Sequence, residues 1–107
     1  MAAAVEGDFL IYDNPNYRRV RGSRLILVSC GYCQTKIALY QKAGPGGLLR
    51  MYVERIVKSS VDLSTLPGAL SCPNCKKQLA TKVTLKRRNK EAYALIRSVF
   101  NTAEVHR

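Results

Sequence analysis

Four cysteines constrain this chain more than any other feature. They fall in two pairs, Cys30-Gly31-Tyr32-Cys33 and Cys72-Pro73-Asn74-Cys75. Two residues between cysteines lets both sulfurs turn toward one point, so two such corners can offer four thiolates to a tetrahedral ion. Zinc suits that donor set because it is redox-inert, prefers soft thiolates and takes tetrahedral geometry without electronic penalty. Unligated core thiols would have no need of paired spacing. The expected ligands of one structural zinc are therefore Cys30, Cys33, Cys72 and Cys75.

The rest of the sequence favours metal over disulfides. Residues 2–8 carry acids where a secretory or organellar leader would carry base, and no long apolar segment follows. The expected location is a reducing intracellular compartment, the cytoplasm first and an organellar matrix second, where paired disulfides are rare. No apolar run approaches the roughly 20 residues of a membrane span, so the chain is expected to be soluble. Its 107 residues fit one domain. With two Phe and no Trp, the core must come mainly from Leu, Ile and Val.

Charge is strongly uneven. The formal net charge is +11, yet residues 1–13 contain three acids and no base. Residues 14–53 hold seven bases and no acid, as do residues 63–90, while the remaining stretches balance. Unopposed charge is kept at some cost in self-repulsion and suggests an anionic partner, of which nucleic acid is the commonest. A zinc tetrathiolate would lower the formal charge to about +9. Both acid-free tracts contain cysteines, so part of the base can be read as offsetting the thiolates.

Local patterns suggest the elements. Phe9-Leu10-Ile11-Tyr12 reads as a short strand before the turn-prone Asp13-Asn14-Pro15-Asn16. Leu25-Ile26-Leu27-Val28 reads as a central strand leading into Cys30. Residues 35–42 alternate, and Gly44-Pro45-Gly46-Gly47 ends them. Residues 48–57 fit a helix through Leu49, Tyr52, Val53 and Ile56, and a strand through Leu49, Met51 and Val53. The Gly-rich turn favours the strand, giving a hairpin with residues 35–42. Residues 78–86 alternate as a half-exposed strand with a basic outer face. Beyond them, Asn89 reads as an N-cap, and Ala92, Leu95, Ile96, Val99, Phe100 and Ala103 recur at helical spacing, predicting an amphipathic helix over 90–103.

With a strand into the first knuckle, a hairpin, and a second knuckle feeding another strand, residues 24–86 resemble the four-cysteine zinc-β-ribbon class of small basic proteins. Cys72-Pro73-Asn74-Cys75-Lys76 carries the resemblance best. Gln34 and Lys76 stand where ribbon knuckles often have Gly, and the long separation of the knuckles implies an inserted hairpin. The expected fold class is α+β: a small antiparallel zinc-ribbon sheet with an inserted β-hairpin and the C-terminal helix packed on it. Residues 1–23 form an N-terminal extension with a basic loop, and residues 24–107 form the ribbon domain. Zinc ribbons occur in ribosomal proteins, in transcription machinery and as docking modules, which makes those the functions the resemblance implies.

Catalysis is poorly supplied. The lone His106 lies near the end of the sequence, Glu54 and Asp62 are isolated, and the Gly-rich turn lacks the Lys-Ser/Thr of a phosphate loop. A thioredoxin-like role for Cys30 and Cys33 would need a helix after the motif and would leave the second pair unexplained. The expectation is a non-catalytic protein that binds RNA phosphates in a ribosome or other ribonucleoprotein, beside neighbouring proteins. The candidate contacts are Arg18, Arg19, Arg21 and Arg24 in one patch and Lys82, Lys86, Arg87, Arg88 and Lys90 in another. Tyr17 and Tyr32 are candidates to stack on bases or to pack at the core's edge. The alternatives are a DNA-binding, transcription-associated ribbon and an adaptor that docks on an acidic protein surface. No membrane or small-molecule substrate is expected.

Overall fold

The computed structural model describes residues 12–15, 17–19, 21–44, 46–87 and 90–105. Nine strands occur among them: β1 (Tyr12–Asp13), β2 (Arg24–Cys30), β3 (Lys36–Lys42), β4 (Arg50–Tyr52), β5 (Ile56–Ser59), β6 (Ala69–Ser71), β7 (Gln78–Leu85), β8 (Lys90–Leu95) and β9 (Phe100–Glu104). A single 3-10 turn, Val53–Arg55, joins β4 to β5. The strands form two antiparallel sheets, ordered β1-β5-β3-β2-β9 and β4-β8-β7-β6. No described helix is long and apolar enough to cross a membrane.

The two sheets share one core. Alternation along β2 turns Ile26, Val28 and Cys30 inward, and Met51, Leu70, Leu79 and Tyr93 of the second sheet join the same buried cluster. β3 lies between β2 and β5, and its Ile37, Ala38, Leu39 and Tyr40 are all buried. One hydrogen bond ties the sheets directly: the Tyr40 hydroxyl accepts the Tyr52 amide at 2.9 Å. Burial raises the Tyr40 pKa, opposed by that amide, so the phenol stays protonated.

The expected C-terminal helix is overturned, and with it the α+β class: among the described residues the protein is nearly all β. Residues 90–103 form β8, a turn and most of β9, which pair with β7 and β2. The helical stripe is not the buried set. Tyr93, off that stripe, is fully buried and donates its hydroxyl to the Pro67 carbonyl at 2.6 Å. Ala103 and Ile96, on the stripe, are exposed. The chain reverses through Ser98, whose φ of 70° is a left-handed conformation that residues other than Gly adopt uncommonly. Asn89, the expected N-cap, lies outside the described residues, as does the expected strand over residues 9–11.

The expected hairpin also resolves differently. Residues 48–57 are extended at both ends, but they divide between the sheets. β4 pairs with β8, whereas β5 returns to β3. Asn14 holds the break in place. Its buried side-chain amide donates to the Val53 and Ile56 carbonyls at 2.7 and 2.8 Å, and the Arg18 amide donates to Glu54 at 2.7 Å. The described residues before β2 therefore contribute β1 at the edge of the first sheet and support for the 3-10 turn.

Candidate metal centre

Each cysteine pair occupies the corner of a hairpin. The first joins β2 to β3 in one sheet, and the second joins β6 to β7 in the other. Both corners close with the same bonds. Gln34 N donates to Cys30 O and Cys30 N to Thr35 O, each at 2.9 Å. Lys76 N donates to Cys72 O and Cys72 N to Lys77 O, again each at 2.9 Å. The Lys77 ammonium lies 5.4 Å from the Tyr32 ring centroid, linking the second knuckle to the first.

The fold brings the sequence-predicted ligands together. Cys30 Sγ lies 3.5 Å from Cys75 Sγ, Cys33 Sγ lies 3.5 Å from Cys72 Sγ, and all four sulfurs fall within 4.8 Å of one another. Metal–sulfur bonds of about 2.3 Å in a tetrahedron require sulfur–sulfur edges of about 3.8 Å, so the cluster can hold a metal ion with little adjustment. Cys30 and Cys72 are buried, while Cys33 and Cys75 are half-buried.

Electrostatics within the cluster also call for a cation. Hydrogen bonds from the Thr35 hydroxyl and the Asn74 side chain bring the Cys33 pKa down to about 5. At Cys75 the Lys77 amide lowers the pKa, but burial and the sulfurs of Cys30, Cys33 and Cys72 outweigh it and raise the value to about 11. One thiolate forms readily and a neighbouring thiol resists ionisation. A divalent ion removes that conflict by binding all four as thiolates.

The knuckles have support on one further side. Gly31 N donates to Val99 O at 2.8 Å, and Asn101 Nδ2 donates to Gln34 Oε1 at 3.2 Å. The β8–β9 turn thus rests on the first knuckle. Tyr32, a candidate base-stacking residue, is 58% exposed with Lys77 over its ring.

The basic residues predicted to contact nucleic acid lie elsewhere. Arg24 pairs with Lys42 at the end of the β2–β3 hairpin remote from its knuckle. Lys86 and Arg87 follow the end of β7 remote from the second knuckle. Six extended residues, as from Cys30 to Arg24, span about 20 Å, more than twice the screening length of about 8 Å at physiological salt. These bases therefore do little to neutralise the thiolates; Lys36, Lys76 and Lys77 lie closer in sequence to the cysteines.

Among the other predicted contacts, Arg18, Arg19 and Arg21 are exposed, and Arg19 and Arg21 line a cavity of about 560 Å³ with Gly22, Ser23 and Gln41. Lys82 is half-buried opposite Tyr93. Lys90 forms an ion pair with Glu54 at 2.6 Å, and this bond holds the Glu54 carboxyl below its usual pKa. Arg88 lies outside the described residues, as does His106. Arg50 and Arg55, which the sequence does not single out, line a further cavity with Tyr40, Lys42 and Tyr52. Alternation in Arg50-Met51-Tyr52 signals that Arg50 and Tyr52 share a face, but nothing local indicates what stands beside them.

Comparison with models of known families, with curated proteins and with solved structures returned no match.

Proposed function

We propose that this protein is a non-catalytic zinc-binding module that holds RNA phosphates as a component of a ribosome or other ribonucleoprotein. Four sulfurs gathered at two matched hairpin corners support zinc, the ion best suited to a compact tetrathiolate. The observation that carries the RNA reading is the separation of charge. Arg19, Arg21 and Arg24 at one strand end, and Lys86 and Arg87 at another, are exposed and remote from the thiolates, leaving them available to an external polyanion.

The test is RNA binding by the zinc-loaded protein, using a short RNA hairpin over a range of salt. Affinity should fall linearly in log salt, and Arg19→Ala with Arg21→Ala should reduce the slope by about two. A wild-type protein that does not retain the hairpin even at low salt overturns this reading.

A further inference from the structure

Two adjoining cavities flank β4. Tyr40, Lys42, Arg50, Tyr52 and Arg55 line one of about 150 Å³, together with residues 43 and 47–49. Arg50, Tyr52, Thr84, Leu85, Lys86 and Arg87 line the other, of about 360 Å³. Arg50 and Tyr52 belong to both, so the cavities form one cleft crossing β4. Its described lining contains five bases and no carboxylate. The nearby Glu54 is ion-paired with Lys90, and its charge also acts on Arg55.

The Arg55 side chain supplies a second observation. Its guanidinium carbon lies 5.0 Å from the Tyr52 ring centroid, within cation–π range. Its Nε is buried and has no hydrogen-bond partner among the described residues. Because that atom has no contact with solvent, it is the charge of Arg55, and not this donor, that the smaller cavity offers to an anion.

We propose that this cleft is a binding site for unpaired nucleotides of single-stranded RNA. One phosphate sits between Arg55 and Arg50, and the next nucleotide lies over Leu85 with its phosphate on Lys86 and Arg87. The larger cavity sets the apolar surface of Leu85 and the Tyr52 side chain beside the bases Lys86 and Arg87, which suits an unpaired nucleotide whose base is accessible and not a duplex whose bases are stacked inside. The inference rests on the RNA reading above and adds to it a second site that takes unpaired RNA.

The experiment measures binding of the zinc-loaded protein to a labelled eight-nucleotide single-stranded RNA and to a blunt RNA duplex. The exposed Arg50 is changed to Ala and, separately, to Gln; bound metal and melting temperature confirm that each variant folds. Both variants should weaken single-strand binding about tenfold and lower its log-salt slope by about one, with little effect on the duplex. Wild-type single-strand affinity in both variants overturns the cleft, even where Arg19→Ala with Arg21→Ala still reduces hairpin binding and so upholds the broader RNA reading. Equal affinity of the wild type for duplex and single strand overturns the selectivity. Failure of the wild type to bind any RNA overturns both proposals.

Discussion

Gln34 and Lys76 hold the same backbone conformation, with φ of 67° and 68°, each directly after the second cysteine of its pair. Both amides donate to the carbonyl of the first cysteine at 2.9 Å. The tight reversal requires a left-handed residue, and each knuckle meets that requirement without glycine. Replacing either residue by Gly should remove strain that outweighs the added freedom of the unfolded chain, raising stability by about 0.5–1 kcal/mol. Thermal melting of metal-loaded Gln34→Gly and Lys76→Gly checks this; a fall in melting temperature in both would show that the φ values carry no strain.

Metal removal should have a far larger effect. Structural zinc supplies on the order of 10 kcal/mol to a small domain, and here the ligands join hairpins of two different sheets. Chelation or Cys72→Ser should therefore unfold most of the structure. Circular dichroism reads the loss of fold, and native mass spectrometry should find one ion per chain. A folded, metal-free chain would contradict the assignment.

Gly31 is fixed by close approach. A Cβ there would stand 2.8 Å from both the carbonyl carbon and the oxygen of Val99. Neither is the end of a flexible side chain, so Gly31→Ala must push the β8–β9 turn off the first knuckle, at a cost of about 1–3 kcal/mol. Hydrogen exchange should show faster loss of protection at Gly31 and along β9 than in β7.

The bond between Tyr40 and Tyr52 gives a second internal test. Tyr40→Phe keeps the ring but leaves the Tyr52 amide without its acceptor, which should cost about 1–3 kcal/mol in a denaturant titration. A cost near zero would mean that the amide finds water instead.

Glu54 provides a pH signature. Lys90 lowers its folded pKa, so the pair stabilises the fold above the unfolded value of about 4.3 and that contribution disappears as pH falls through the lower folded value. Both side chains are about one-third exposed, which keeps the effect under about 1 kcal/mol. Wild type should exceed Glu54→Gln in stability near pH 6, and the gap should close on acidification. A gap independent of pH would assign the difference to packing.

The division between what was legible and what was not follows from the range of the interactions. The cysteine spacing announced a four-sulfur site because two corners of that spacing have few other uses. The strand at β2 was visible as an unbroken apolar run and that at β7 by alternation, both of them local signals. The C-terminal helix failed for a complementary reason. Residues 90–103 contain apolar positions that match a helical period, but β7 and β2 offer paired edges, and Ser98 permits a reversal that composition does not reveal. The Arg50–Tyr52 cleft was invisible because its walls come from segments far apart in the chain.

By itself, the sequence determined the two cysteine corners, the excess of base and the extended segments of β2, β3 and β7, all of which are encoded in patterns over a few residues. Tertiary structure decided the fold class, the division of residues 48–57 between two sheets and the position of the bases relative to the thiolates. Those depend on partners such as Asn14, whose side chain reaches Val53 across 39 positions of sequence. Pairing at that distance is set by the whole core and by competition among edges, and no local pattern records its outcome.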